Sequence, residues 1–371
     1  MRILYMTRSD STHDQRFMKA LASSGHDGFV LRLYQGDYPT PPGVTPLAWE
    51  GLPRGASLRQ VQYLRKQLRA ILKELQPDLI HAGPIHDVAF LAAREHFQPL
   101  LSMSWGFDLM KESHTTLGNR YRTRYTLRHS QGLIVDCQAA AQVATRMGFP
   151  QERIYQFPWG VDLEHFSPLS AVVPGKTWRA AQGWQDQTVL LCLRSWEPNY
   201  GVDVLARAFV QAAKKNDKLR LVLLGDGSQS EKIRAILQTG GVSDKVHFGG
   251  RVPNDRLVTY YGAADVYISP SHVDGSSVSL MEALACGLPA VVSDIPANLE
   301  WVRPDENGWI FPDGSDSSLA GLILSLPQKD LHSASLLARQ TAVEKADWKR
   351  NRQVLLDSYE NTFASLKRRP I

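Results

Sequence analysis

Cysteine is scarce in this chain, and the three present, Cys137, Cys192 and Cys286, are far apart and odd in number. That argues against a disulfide framework or a cysteine-based zinc site and fits reduced, buried thiols. No apolar run reaches the roughly 18 residues that a membrane-spanning helix needs. The N-terminus, Met-Arg-Ile-Leu-Tyr-Met-Thr-Arg-Ser-Asp, has neither a long apolar core nor a small-residue cleavage site. It does not read as a signal peptide, and a cytoplasmic location is the expectation. Strong charge imbalance is absent too, the formal net charge being only +5. So mild a basic excess fits anionic ligands or lipid headgroups, and without a recognised binding module it gives little ground for a nucleic-acid partner.

What is present is a chain of 371 residues, 43% of them hydrophobic, too long for one typical core and suited to two domains. Strand and helix signals alternate along it, which points to α/β units with parallel sheets. In the first half, strands are expected at Arg2–Thr7, Phe29–Leu33, Asp78–His81, Leu100–Ser104 and Gly132–Asp136, and helical spacing after the first strand ends at Ser23-Ser24-Gly25. Five prolines between Gln35 and Gly55 predict irregular structure there. Leu58–Leu75 is an amphipathic helix with Arg59, Arg65, Lys66, Arg69 and Lys73 on its polar positions. Farther on, Arg120, Arg124 and Arg128 share a helical face. Both basic faces suit an anionic membrane surface or a phosphate-bearing acceptor, and both suit plain solvation.

Leu169–Thr177, with its Pro and Gly, reads as an interdomain linker. Beyond it strands are expected at Thr188–Arg194, Arg220–Leu224, Lys245–Phe248 and Val266–Ser269, with helices at Gly201–Lys214, Glu231–Gln238 and Leu257–Ala263. The most informative stretch follows, from Asp274 through Glu282 to Ser293. Gly275, Ser276 and Ser277 carry no bulk, so a ligand can reach the backbone at the start of a helix, where anions are favoured. That helix is expected from Ser276 to Cys286, stopped by Gly287, with a strand at Leu288–Val292. Ser279 and Glu282 also fit an ordinary capping box. An anion-binding loop with a carboxylate on either side suits a sugar nucleotide.

The stretch resembles the signature of the retaining nucleotide-sugar glycosyltransferases of family 4, in which two Glu separated by seven residues flank a Gly-rich loop before Ala-x-Ala-x-Gly-x-Pro. Here Asp274 takes the place of the first Glu, Ser276-Ser277 replaces the aromatic-glycine part, and Glu282-Ala-Leu-Ala-Cys-Gly-Leu-Pro289 follows the pattern. The resemblance implies an α/β fold of the GT-B type, two Rossmann-like doubly wound domains facing a central cleft. The expected domains are residues 1–168 on the acceptor side, 178–345 binding the nucleotide sugar, and 346–371, a helix returning to the first domain. The segment Phe157–Pro168 resembles the one that closes the family's first domain, with Trp159 in place of Asn.

The resemblance also implies roles. Glu282 would hold the ribose hydroxyls and Asp274 the transferred sugar. Gly275, Ser276 and Ser277 would meet the diphosphate, and the backbone near Val252 would face the base. Arg194 stands about one position from the family's diphosphate-binding Arg, Tyr200 stands where a Lys would, and Arg251 is the candidate for the missing cation. On the acceptor side, His13, Asp14 and Arg16 occupy a loop that usually carries glycines. Trp105 replaces a sugar-contacting His, while Gly106 and Asp108 are kept. The expected reaction is hexosyl transfer from a nucleoside diphosphate sugar, UDP-linked before GDP-linked, to an acceptor hydroxyl with retained configuration. It needs no cofactor and no metal, and it belongs to polysaccharide or lipid-linked glycan synthesis.

Other readings stay open at this stage. A UDP-sugar 2-epimerase-like isomerase shares the fold. A non-catalytic sugar-nucleotide-binding protein is compatible with the departures at Trp105, Tyr200 and Asp274. Gly225-Asp226-Gly227 after a strand hints at a dehydrogenase, weakly, because the third glycine of that motif is missing.

Overall fold

The structure is a computed structural model that describes residues 1–9, 11–53 and 58–367. The chain forms two compact units, one built from Met1–Pro158 and the segment from Arg350 onward, the other from Trp159–Lys349.

The first unit runs β1 (Arg2–Thr7), α1 (Thr12–Ala22), β2 (Asp27–Arg32), β3 (Val44–Pro46), α2 (Leu58–Leu75), β4 (Leu79–Ala82), α3 (Phe90–Ala93), β5 (Leu100–Met103), α4 (Ser113–Thr115), α5 (Leu117–His129), β6 (Gly132–Val135), α6 (Gln138–Arg146) and β7 (Ile154–Gln156). Its strands form one parallel sheet in the order β3-β2-β1-β4-β5-β6-β7. Helices cover both faces of such a sheet, which is why β5 and β6 are unbroken apolar or small runs buried at every position and β4 is equally buried with His81 as its one polar residue. The helical period of α2 places Leu64, Leu68 and Leu75 in the core and leaves Arg59, Lys66, Arg69 and Lys73 outside.

One expectation fails in the proline-rich segment. Val44–Pro46 pairs with β2 as the edge strand, where a residue without an N–H costs the sheet little. Residues 54–57, at the end of that segment, lie outside the described residues.

The second unit runs α7 (Pro168–Gln182), β8 (Thr188–Cys192), α8 (Val202–Ala213), β9 (Leu219–Leu224), α9 (Ser230–Thr239), β10 (Val246–Gly250), α10 (Leu257–Ala263), β11 (Val266–Ser269), α11 (Val278–Ala285), β12 (Ala290–Ser293), α12 (Pro296–Leu299), β13 (Gly308–Phe311), α13 (Asp316–Ser325) and α14 (Leu331–Lys345). Its parallel sheet has the order β10-β9-β8-β11-β12-β13. The last helix, α15 (Trp348–Lys367), belongs to the first unit from Arg350. There Tyr359 is fully buried with its hydroxyl 3.1 Å from His81 Nδ1, and Asn351 Nδ2 donates to the Pro158 carbonyl at 3.0 Å. Burial pushes the His81 pKa down to about 3, so the imidazole inside this contact is neutral.

The expected linker is instead part of a helix. Ser167 caps α7 by accepting the Ser170 N–H at 3.2 Å, and Pro168 fits the first helical position. Gly175 and Gly262 then let α7 lie directly on α10: a Cβ on Gly175 would stand 2.1 Å from the Gly262 carbonyl carbon, and one on Gly262 would stand 1.9 Å from the Ala171 oxygen. The change of unit comes earlier than residue 168, at Pro158–Trp159. The reason is backbone pairing within the second unit, where Val161 N–H donates to Ala346 O at 2.7 Å and Trp348 N–H to Val161 O at 3.1 Å.

Gly175→Ala should therefore destabilise the second unit by roughly 1–3 kcal/mol, because the added methyl meets backbone that cannot yield like a side chain. Gly321→Ala in α13, whose Cβ meets nothing within 4 Å, is the comparison for exchanging a helical glycine alone. Thermal unfolding of the two variants measures the difference, and equal losses would discount the close α7–α10 contact.

Candidate functional site

In the second unit the loop after β11 leads through Asp274, Gly275, Ser276 and Ser277 into α11. Ser277 is the N-cap, its Oγ accepting from the Leu280 N–H at 3.4 Å. The helix thus starts at Val278, later than Ser276, and Ser279 lies inside its first turn. No capping box forms between Ser279 and Glu282. The Ser279 hydroxyl turns to the Tyr267 hydroxyl at 2.7 Å, and the Glu282 carboxylate turns to other partners. Ser276 and Ser277 are buried.

Arg194 follows β8 and is 8% exposed. Its Nη2 lies 2.6 Å from Asp274 Oδ2, and its Nη1 donates to Ser277 Oγ at 2.6 Å and Ser279 Oγ at 3.2 Å. The Tyr200 ring covers the guanidinium at 4.3 Å. Desolvation opposes the charge on Arg194, but Asp274 first, then the Tyr267 and Tyr200 phenols, hold its pKa above the ordinary value. Burial lifts the Asp274 carboxyl above its usual range, with Arg194 and the Gly275 N–H acting against that lift. The resemblance gives Asp274 and Arg194 separate duties, on sugar and on diphosphate. The structure joins them as partners, and Tyr200, expected among the donor ligands, is the lid on that pair. One donor remains: Arg194 Nε is buried and has no hydrogen-bond partner among the described residues.

Tyr200 is brought there by a tight approach. The residue after it, Gly201, has φ +59°, and a Cβ on it would stand 2.0 Å from the Pro270 carbonyl oxygen. Only glycine satisfies both conditions.

Glu282 is 2% exposed inside α11. The Tyr261 hydroxyl donates to its Oε2 at 2.8 Å and Asn254 Nδ2 to its Oε1 at 3.1 Å. Burial, then the neighbouring Glu282, raises the Tyr261 pKa well above normal, so this phenol stays a donor. Sequence reasoning missed Asn254 and Tyr261, which lie outside any short motif. It also missed His272, whose Nδ1 is 2.6 Å from Asp313 Oδ1. Arg251 is exposed just past β10, without a side-chain hydrogen bond or ion pair among the described residues, and Val252 beside it is half-buried.

The Gly225-Asp226-Gly227 turn has its N–H groups engaged by protein. Gly225 donates to Gly250 O at 2.6 Å, Gly227 to Asp226 Oδ1 at 2.8 Å, and Ser228 to Glu197 Oε1 at 2.9 Å. A dinucleotide-binding turn needs those donors for the pyrophosphate.

In the first unit two expected acceptor-side carboxylates turn inward. Asp14 is fully buried; Tyr5 OH donates to its Oδ1 at 2.7 Å and Ser11 Oγ to its Oδ2 at 2.6 Å, while Ser11 Oγ caps α1 by accepting the Asp14 N–H. Ser-x-x-Asp at a helix start explains this, since the carboxylate folds back onto the cap. Asp108 is also fully buried and gathers four donors: the Ile85, Trp105 and Leu109 N–H groups at 2.8, 2.9 and 2.9 Å, and Ser104 Oγ at 2.6 Å. It fixes the loop after β5 and leaves the Trp105 side chain half-exposed. His13 is pushed down to about 3 by burial and then by Arg16, so it is neutral near pH 7. Arg16 is partly exposed on α1. Asp10 of the same loop lies outside the described residues.

Two ionic contacts in this unit were invisible in sequence because their partners are far apart in the chain. Arg8 pairs with Asp87, and His86 Nε2 lies 2.9 Å from Glu112 Oε2. Among the described residues no cluster of three or more His, Cys, Asp or Glu could hold a metal ion, and no helix is long and apolar enough to cross a membrane.

Residues 175–340 match the family described as Glycosyl transferases group 1, and residues 2–137 match Glycosyl transferase 4-like. Among curated proteins, a phosphatidyl-myo-inositol mannosyltransferase of Mycobacterium leprae is 31% identical over 48% of this chain and 48% of its own length. A GDP-mannose-dependent alpha-(1-6)-phosphatidylinositol monomannoside mannosyltransferase of Mycolicibacterium smegmatis is 26% identical over 54% of each. The chain thus spans about half the length of the curated relatives it matches. Among solved structures, HepE of Anabaena in complex with UDP-glucose has a TM-score of 0.79 at 17% identity, covering 97% of this chain and 100% of that one. That likeness gives the fold as GT-B, two parallel-sheet Rossmann-like domains.

The His86–Glu112 contact makes a pH-dependent contribution with a defined sign. Burial disfavours the imidazolium, yet the Glu112 hydrogen bond and the nearby Asp108 and Asp87 outweigh it and hold the His86 pKa above normal. The same bond holds Glu112 below the usual carboxylate range. The contribution is full between the ordinary values of about 4.3 and 6.5, and it is lost as pH rises through the elevated His86 pKa. Thermal unfolding should therefore decline more steeply for the wild type than for His86→Gln from about pH 6.5 upward. Parallel profiles would contradict an ionised pair.

Proposed function

The chain belongs to the group 1 glycosyl transferases, with a glycosyl transferase 4-like first half, and from that premise we propose that it transfers a hexosyl unit from a nucleoside diphosphate sugar to an acceptor hydroxyl with retained anomeric configuration. The observation that carries this reading is the fixed guanidinium of Arg194 at the start of α11, anchored on Asp274 and Ser277 with Nε still unpaired. A preorganised cation beside a helix N-terminus stabilises charge that develops on a departing diphosphate. In the proposed step the bond from the anomeric carbon to the diphosphate oxygen breaks, and a bond to the acceptor oxygen forms on the same face. The acceptor proton passes to the leaving phosphate. Glu282, oriented by Tyr261 and Asn254, holds the ribose hydroxyls. Asp274 contacts the sugar from its pairing with Arg194, and Arg251 supplies a second cation to the diphosphate. No cofactor beyond the donor is invoked.

Uracil is the proposed base, in a UDP-linked donor, supported by the likeness to HepE in complex with UDP-glucose. A second reading, GDP-mannose, is favoured by the mycobacterial relative whose name specifies that donor. The acceptor is placed in polysaccharide or lipid-linked glycan synthesis, in keeping with the inositol lipids named among the relatives. Peripheral contact with an anionic membrane, through the basic faces of α2 and α5, is part of the same proposal.

Calorimetric titration of UDP, GDP, ADP and NAD separates these readings. One nucleoside diphosphate should bind saturably and lose about tenfold or more in affinity in Glu282→Ala, as expected when a buried hydrogen-bonding partner is removed. Arg194→Gln should lower the transfer rate by roughly 10²–10³. If no diphosphate binds, or if NAD binds regardless of Glu282, the transferase reading fails.

A further inference from the structure

The first unit contains a cavity of about 560 Å³, within the range of small-molecule sites. It opens beyond the carboxyl ends of two strands of the parallel sheet: Leu33 and Tyr34 on its wall directly follow β2, and His86 and Asp87 come shortly after β4. That is where open α/β sheets bind ligands. Its apolar lining includes Leu33, Leu52, Val61, Phe90, Leu91 and Tyr121.

The charges around it do not cancel. Asp87 is paired with Arg8 and also accepts the Val88 N–H, and Arg65 is paired with Glu95, a carboxylate shared with Arg69. His86 is turned to Glu112. The remaining cations, Arg94 and Arg122, have no carboxylate partner among the described residues. Each is placed instead over the Phe90 ring, at 5.9 and 5.7 Å from its centroid, with Arg94 also 5.9 Å from the Tyr125 ring. Two guanidiniums held by rings at an apolar cavity are suited to an anion whose attached body covers the aromatic surface.

We propose that this cavity binds a phosphate ester, with the phosphate between Arg94 and Arg122 and the organic body against Phe90 and Tyr121. Calling that ester the acceptor rests on the transferase reading above; the binding itself does not. A lipid phosphate and a soluble sugar phosphate share this chemistry.

The test is calorimetry on the full chain with four probes: n-dodecyl phosphate below its micelle concentration, glucose 6-phosphate, inorganic phosphate and neutral dodecyl maltoside. At least one ester should bind more tightly than both inorganic phosphate and the maltoside, and should weaken about tenfold or more in the Arg94→Gln/Arg122→Gln variant. Preference for dodecyl phosphate identifies a lipid source, and comparable binding of glucose 6-phosphate identifies a soluble one. Tyr121→Ala should weaken the ester while leaving inorganic phosphate unchanged. An ester that binds no better than inorganic phosphate, or equally well to the double variant, overturns the proposal. Thermal unfolding of the double variant that matches wild type guards against misfolding of the first unit, and affinity for the preferred nucleoside diphosphate, whose Glu282 lies in the other unit, should stay within twofold of wild type. Ester binding without any nucleotide binding would remove the word acceptor and keep the subsite; nucleotide binding without ester binding would overturn the subsite and leave the transferase reading standing.

Discussion

The ion pair between Arg194 and Asp274 is the contact on which the candidate donor site depends. Taking two charges out of water costs several kcal/mol per ion, and the attraction between them offsets that only when the remaining hydrogen-bonding groups are also served. Here they nearly are: Ser277 and Ser279 take one guanidinium nitrogen, the Gly275 N–H serves the carboxylate, and the Tyr200 ring covers the cation. The pair ties the end of β8 to the start of α11, so two strand-end loops of one sheet are fixed relative to each other. A loop held this firmly keeps its shape for a ligand without reorganising, which is what electrostatic catalysis requires. Among the described residues the network leaves two buried atoms without a hydrogen bond, Arg194 Nε and Asp274 Oδ2, the latter held by its 2.6 Å ionic contact with Arg194 Nη2.

The first unit solves a different problem with similar means. Its polar groups at the strand ends are consumed in building loops: Asp14 serves the cap of α1 and Tyr5, and Asp108 gathers four donors around the turn after β5. Around the cavity, Asp87 and Glu95 are likewise taken up, by Arg8 and Arg65, which among the described residues leaves Arg94 and Arg122 as its uncompensated charge on a largely apolar surface. The binding chemistry proposed for this unit comes from Arg94, just past α3, and from Arg122 and the rings of α3 and α5, away from the loop that family resemblance emphasises.

Legibility followed the range of the interactions. The strands β1, β5, β6, β8, β9 and β11 and the helices α2 and α10 could be placed within a residue or two, because a strand buried on both faces must be an apolar run and a surface helix must repeat at its own period. The linker expectation failed at α7 because Pro and Gly carry two meanings. Pro168 opens that helix, and Gly175 is a contact with Gly262 that no local pattern announces. Asn254 and Tyr261 could not be linked to Glu282 for the same reason, since no fixed spacing relates them. Asp14 and Asp108 were misplaced because a carboxylate in a loop looks the same in sequence whether it faces a ligand or the backbone.

The sequence by itself determined the alternation of strand and helix, the two-sheet architecture and the Asp274–Pro289 stretch with its family, since periodicity and local motifs are properties of neighbouring residues. Only the tertiary structure decided which polar groups are occupied by one another. Arg194 and Asp274 are eighty residues apart, and Arg8 and Asp87 nearly as far. Whether such groups pair depends on which strand ends the sheet order brings together, and that order is set by packing of the whole sheet, not by any segment of it.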